Sequence, residues 1–244
     1  MNRKTNYTFL QILIAGSFFA SFFSKKEEKK KEEKMKTYLF DFDGTLVDSM
    51  PTFAALMMRI LDERSISYGD DLVKIITPLG YGGTAKYFRE EMGVTDSEEE
   101  LISKMNEYAL YEYTYNVPAK EGVAETLKKM KELGYSLNVL TASPHTVLDP
   151  CLKRLGLYDI FSNVWSCEDF STTKADPNIY ILAAERMGVE VGDVIFVDDN
   201  MGAVGAAMAA GAYGVGIYDR SSEDYKDEFK KTADKYVEDF SSLI

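Results

Sequence analysis

The chain has 244 residues, 45% of them hydrophobic, with 40 acidic against 28 basic side chains and a formal net charge of −12. That length and apolar content exclude a disordered chain and allow one large core, or a core with a smaller domain. The acidity argues against nucleic acid or an anionic membrane surface as partner, and it requires a local positive focus for any anionic small molecule. Two cysteines, Cys151 and Cys167, show neither metal-ligand spacing nor a disulfide framework, which fits a reducing, cytoplasmic compartment.

The first 34 residues do not match the rest. Tyr7 to Phe23 is uncharged and follows Arg3 and Lys4, and residues 25–34 are wholly Lys and Glu. A signal peptide, a short membrane anchor and an overextended reading frame all stay open. The stretch sits at the lower limit for a spanning helix, Ala15-Gly16-Ser17 is a weak cleavage site, and Met35-Lys36 stands directly before the first strand. Residues 1–34 are set apart from the expected fold, and a membrane-anchored or exported location depends on them alone.

Thr37-Tyr38-Leu39-Phe40-Asp41-Phe42-Asp43-Gly44-Thr45-Leu46-Val47-Asp48-Ser49 is an apolar run that carries two carboxylates, two residues apart, into a glycine turn. Side chains two apart on a strand share a face, so Asp41 and Asp43 converge if the strand stays regular. Close acids repel unless a cation or a shared proton compensates them, and a hard, oxygen-preferring cation such as Mg2+ suits them at neutral pH.

Helical patterns follow at Met50–Arg64, around Leu72–Ile76, at Tyr81–Met92 and at Ser97–Tyr115. Between them, Pro78-Leu79-Gly80-Tyr81-Gly82-Gly83-Thr84 reads either as a loop over substrate, its glycines permitting close approach, or as a helix connector. Arg59, Lys86 and Arg89 are candidates to meet a second anionic group, although charges on such helices usually face water.

Val117-Pro118-Ala119-Lys120 breaks the run, and strands then alternate with helices. The pattern predicts a helix over Glu121–Leu133, a strand over Tyr135–Thr141, helices over His145–Leu155 and Pro177–Met187, a strand over Asp193–Val197, a helix over Asn200–Ala210 and a strand over Tyr213–Ile217. Such alternation implies an α/β fold with a doubly wound parallel sheet and ligands at the carboxyl ends of the strands. Residues 35–49 and 118–244 would form the core, and residues 50–117 an inserted α-helical cap.

Three further signals stand at strand ends. Thr141, in Val139-Leu140-Thr141-Ala142-Ser143, is by itself an ordinary capping hydroxyl. Lys174, in Thr172-Thr173-Lys174-Ala175-Asp176-Pro177, is by itself a surface lysine, and Asp198-Asp199 is a pair of acids able to cap the next helix. Together with Asp41 and Asp43, and in this order over residues 35–217, they resemble the four motifs of the haloacid-dehalogenase-like (HAD) hydrolases. Lys174-Ala175-Asp176-Pro177 departs from the Lys-Pro usual in that family.

The resemblance implies a division of labour. Asp41 is the nucleophile and forms an aspartyl phosphate; Asp43 protonates the leaving alkoxide and then activates water. Thr141 and Ala142 bind the transferring phosphoryl group, and Lys174 neutralises its charge. Mg2+ is held by Asp41, the main-chain carbonyl of Asp43, and Asp199, with Asp198 behind them or as an alternate ligand. An acid two places after the nucleophile marks phosphatases and phosphomutases, and the helical cap is similar to that of phosphoglycolate phosphatases and beta-phosphoglucomutases. In the sugar mutases a histidine stands about a dozen residues past the nucleophile; here that position is Phe53, so hydrolysis of a small phosphorylated metabolite is the first reading and a phosphomutase the alternative. His145, the sole histidine, reads as a helix-start or surface residue. A phosphorylated signalling receiver has its acidic pair first and its phosphorylated Asp on a later strand, an order this chain does not follow.

Overall fold

The sheet has inner strands, where short runs of largely apolar residues are buried on both faces as a parallel sheet demands, and partly buried edge strands. In the computed structural model, which describes residues 37–76 and 79–244, these are β1 (Thr37–Phe40), β2 (Ser136–Thr141), β3 (Asn163–Ser166), β4 (Val194–Asp198), β5 (Tyr213–Ile217) and β6 (Lys235–Val237). They make one sheet in the order β3-β2-β1-β4-β5-β6, with every pairing parallel. The expected doubly wound α/β fold is therefore present. The extension of residues 1–34 and Pro78 lie outside the described residues. Among the described residues no helix is long and apolar enough to cross a membrane.

Register decides where chemistry can gather. Phe40 of β1 stands level with Val139 of β2 and Val197 of β4, so Asp41, Thr141 and Asp198 emerge within two residues of one another along the same edge. Strand order reverses at β1, and a crevice opens at such a switch point. The buried Asn138 ties three strands together: its amide donates to the Tyr38 carbonyl at 3.1 Å and accepts from the Asn163 amide at 2.8 Å.

Four helices are inserted between β1 and the rest of the sheet: α1 (Met50–Asp62), α2 (Leu72–Ile76), α3 (Gly80–Glu90) and α4 (Glu98–Tyr115). They bury Leu56, Met57, Ile60, Phe88, Leu101 and Met105 among themselves. α4 starts at a capping box, Ser97 accepting from the Glu100 amide and Glu100 from the Ser97 amide, an arrangement worth about 1 kcal/mol. The two connections to the insertion pair with each other: Asp48 N donates to Pro118 O and Lys120 N to Leu46 O, both at 3.0 Å.

The remaining helices are α5 (Val123–Glu132), α6 (His145–Arg154), α7 (Asn178–Met187), α8 (Met201–Ala210) and α9 (Lys226–Thr232). α5 begins two residues later than the pattern predicts because Gly122, at φ 76°, turns the chain into it. Gly80–Thr84 is not a loop: it forms the first turn of α3. β3, α9 and β6 were not expected. The two strands are short edge strands with little internal burial, so their pairing partners rather than their own apolar pattern create them.

Two glycines separate backbone freedom from steric need. Gly205 lies on α8 with nothing within 4 Å of an added Cβ, whereas a Cβ on Gly216 of β5 would strike the Phe229 ring. Gly205→Ala should therefore raise stability by about 0.5–1 kcal/mol by restricting the unfolded chain, and Gly216→Ala should cost about 1–3 kcal/mol by overpacking. Urea midpoints that move the same way for both variants would contradict this packing.

Candidate active site

β1 delivers Asp41, whose amide donates to Val197 O at 2.9 Å and so extends the ladder one residue past the strand. β4 ends on Asp198, and Asp199 follows it. Lys174 arrives from the loop between β3 and α7 and places its Nζ 2.6 Å from Asp41 Oδ1 and 2.8 Å from Asp198 Oδ2. The contact with Asp41 lies outside hydrogen-bond geometry, so that oxygen meets charge without a hydrogen bond. Asp198 also accepts from the Asn200 amide at 2.7 Å. Asp199 Oδ1 accepts from the Thr45 hydroxyl at 3.1 Å, and the same hydroxyl accepts from the Asp199 amide at 3.2 Å.

One oxygen from each of Asp41, Asp198 and Asp199 lies within 4.8 Å of the others, and all three residues are buried. A single ammonium cannot offset three carboxylates, and burial adds to the cost of their charge. Burial, with Asp198 beside it, pushes the Asp41 carboxyl up to about 7. Burial together with Asp198 and Asp41 pushes Asp199 well above the usual carboxylate range. Burial opposes the charge on Lys174, yet Asp198 and Asp41 hold its ammonium well above the ordinary lysine value. Hard oxygen donors carrying surplus negative charge suit a hard divalent cation such as Mg2+. Gly44, at φ +74°, lets the turn close on this cluster, for a Cβ there would stand 2.5 Å from Asp199 Oδ2.

The structure thus gathers Asp41, Asp198, Asp199 and Lys174, with Asp198 a full member of the cluster. The Asp43 carboxylate faces elsewhere: Oδ1 accepts from the Tyr113 hydroxyl and Oδ2 from the Ser143 hydroxyl, each at 2.5 Å. Thr141 is buried at the end of β2, and its Oγ1 accepts from the Ser143 amide at 3.1 Å, which leaves its own proton to donate. Ala142 is exposed beside it. The three candidate cations are exposed and paired with acids of the insertion itself, Arg59 with Glu63, Lys86 with Glu90 and Arg89 with Glu98, which favours the plainer reading of them. Phe53 stacks on Tyr81 with ring centroids 5.8 Å apart, and burial, with Asp43 nearby, raises the Tyr81 phenol to about 12.

Several residues that shape the site escaped the sequence reading. Lys120 Nζ donates to Gly44 O and Tyr218 O, both at 2.6 Å, and to Asp219 Oδ2 at 3.0 Å, which pins the turn after Asp43 to the end of β5. The Tyr180 hydroxyl lies 2.9 Å from Lys174 O and 3.0 Å from Ala203 O, which anchors the lysine loop to α8. Thr45 and Ser143 stand inside motifs already singled out, and their hydroxyls were the available signal. Tyr113, Lys120 and Tyr180 have no local signal, because their partners are distant in sequence.

Comparison with known proteins agrees with this geometry. A family model described as haloacid dehalogenase-like hydrolase matches residues 35–212. The phosphoglycolate phosphatase of Escherichia coli strain K12 is 30% identical over 200 residues, covering 73% of this chain and 79% of that protein. A phosphorylated carbohydrates phosphatase of Thermotoga maritima is 27% identical over 184 residues, covering 74% of this chain and 85% of its own length. Among solved structures, a Thermotoga maritima protein provisionally assigned as a beta-phosphoglucomutase superposes with a TM-score of 0.74 at 25% identity, over 84% of this chain and 94% of that one. CbbY of Rhodobacter sphaeroides, solved with phosphate, shares the fold with a TM-score of 0.71 at 18% identity, over 86% and 96% of the two chains.

His145 is the first residue of α6, as the sequence suggests, and its ring is clamped. Nδ1 lies 2.9 Å from Asp149 Oδ1 and Nε2 2.9 Å from Asp169 Oδ2. A carboxylate only accepts, so both ring nitrogens donate and the clamp holds the imidazolium. Hydrogen bonds to Asp149 and Asp169 raise its pKa above the ordinary 6.5. The stabilisation is fully present below the unfolded-state value and is lost as pH rises through the folded-state pKa. The single histidine signal in NMR should therefore titrate above 6.5, and His145→Ala should abolish the loss of stability in that window. A midpoint at or below the unfolded value would refute the clamp.

Proposed function

We propose that this chain, which belongs to the haloacid dehalogenase-like hydrolases and is a phosphoric monoester hydrolase, hydrolyses a small phosphorylated metabolite with Mg2+ through an aspartyl phosphate on Asp41. The observation that carries this reading is the buried Asp41, with Lys174 Nζ 2.6 Å away, in a cluster with Asp198 and Asp199. The ion would be held by Asp41, the main-chain carbonyl of Asp43, and Asp199, with Asp198 beside them, and when bound it supplies charge neutralisation for the phosphoryl oxygens.

In this reading an Asp41 carboxylate oxygen attacks phosphorus while the bond to the leaving oxygen breaks, and Asp43 gives that oxygen its proton. Lys174 draws charge from the nucleophile and the phosphoryl group, and the Thr141 hydroxyl and the main chain at Ala142 orient it. Asp43 then takes a proton from water, whose oxygen attacks the same phosphorus and releases phosphate from Asp41. Residues 50–117 serve as a cap that moves on the paired segments around Leu46–Met50 and Tyr115–Lys120, shielding the intermediate and reading the leaving group. The names of the phosphoglycolate and carbohydrate phosphatases among the relatives support a small phosphorylated metabolite as substrate.

A sugar phosphomutase is the second reading, favoured by the structural likeness to the Thermotoga maritima protein and opposed by Phe53 in the place of the mutase histidine. Release of free phosphate in proportion to substrate consumed separates the two, since a mutase returns an isomeric phosphate ester.

Chelation should abolish turnover of a chromogenic phosphate ester and added Mg2+ should restore it; full activity in excess chelator would sink the metal assignment. Asp41→Asn should yield no trapped phosphoenzyme. Asp43→Asn should lose at least about 100-fold in kcat yet still be phosphorylated by an ester with a good leaving group. Equal, mild losses in both variants would contradict the division of roles.

A further inference from the structure

Asp43 is held differently from the other acids of the site. Lys174 reaches Asp41 and Asp198, but the oxygens of Asp43 accept from two neutral hydroxyls, Tyr113 and Ser143, each at 2.5 Å. Ser143 belongs to the loop after β2. Tyr113 comes from the last helix of the insertion, seventy residues further along the chain than its acceptor.

The phenol is placed from several sides. Its ring packs on Phe42, the residue between the two motif acids, with centroids 5.9 Å apart, and Tyr113 is only 8% exposed. Arg154 of α6 donates to the Tyr113 carbonyl at 3.2 Å and also to the Val117 carbonyl. The Ser49 hydroxyl, 1% exposed, stands beside the phenol. Ser49 is where the chain enters the insertion and Tyr113 lies near where it leaves, so one phenol meets both connections.

We infer that Tyr113 is a positioning residue through which the helical insertion orients Asp43 toward the leaving oxygen. The proton of the phenol never leaves its oxygen. The proton given to the leaving group comes from Asp43, as the bond from phosphorus to that oxygen breaks. This rests on the proposed acid–base role of Asp43. It follows that help from Tyr113 matters most where the leaving oxygen most needs a proton.

Two aryl phosphates test this, phenyl phosphate with a basic leaving group and 2,4-dinitrophenyl phosphate with a weakly basic one. Tyr113→Phe keeps the ring and removes the hydroxyl. It should slow the single-turnover release of phenol from phenyl phosphate by about 10-fold, a fraction of what a positioned acid contributes, with the single-turnover release of dinitrophenol and the affinity for both esters nearly unchanged. Equal loss on both esters, or no loss on either, overturns the inference. A second readout needs no turnover: a downfield hydroxyl proton in the NMR spectrum of the wild type, absent from Tyr113→Phe and from Asp43→Asn. Its absence from the wild type overturns the inference even if both esters are hydrolysed. A wild type that shows the resonance but hydrolyses neither ester counts against the phosphatase mechanism instead, while the hydrogen bond stands.

Discussion

Three buried carboxylates around one ammonium set the terms for the rest of this structure. Asp41, Asp198 and Asp199 could not be held so close in a dry environment without Lys174, which touches two of them. Even so the compensation is incomplete, and burial with neighbouring charge lifts Asp41 to about 7. A site in this condition is predisposed toward a cation that supplies the missing positive charge, and in the proposed reaction toward a phosphoryl group that the cation can share. The surrounding contacts serve to hold the repelling groups where they are. Asn200 and Thr45 donate to Asp198 and Asp199, Tyr180 anchors the loop that carries Lys174, and Lys120 pins the Gly44 turn against the end of β5. Gly44 is the tightest of these points, since any side chain would occupy the space of the Asp199 carboxylate.

The sheet alone supplies the charged cluster, while the insertion supplies a ligand to the remaining acid. Its helices bury an apolar core of their own, and its two connections pair with each other rather than trailing loosely, through Asp48 with Pro118 and Leu46 with Lys120. Arg154 of α6 closes the far side by holding the carbonyls at the end of α4. The consequence is a division between an edge that gathers the acids around Lys174 and a helical segment that touches Asp43 through Tyr113. Relatives that share the core at 27–30% identity act on phosphoglycolate or on phosphorylated carbohydrates according to their names, which fits a core common to the family and a leaving-group side free to vary.

Much of this was legible in the chain itself. The apolar runs ending in Asp41, Thr141 and Asp198, the glycine after Asp43 and the alternation after Lys120 all depend on local pattern, and local pattern specifies a parallel α/β sheet with its acids at one edge. The order of those motifs was enough to identify the family, because Asp41, Asp43, Thr141, Asp198 and Asp199 lie within a few residues of a strand end and Lys174 stands just ahead of a helix. Tertiary structure alone decided the rest. It made Asp198 an equal partner in the cluster, turned the Asp43 carboxylate toward Tyr113 and Ser143, folded Gly80–Thr84 into helix, and created the edge strands β3 and β6. Those outcomes depend on contacts between residues as far apart as Asp43 and Tyr113, Lys120 and Tyr218, or Lys174 and Asp198. A hydroxyl or an ammonium gains its role there from the unpaired group it meets, and no pattern of neighbours along the chain encodes which group that will be.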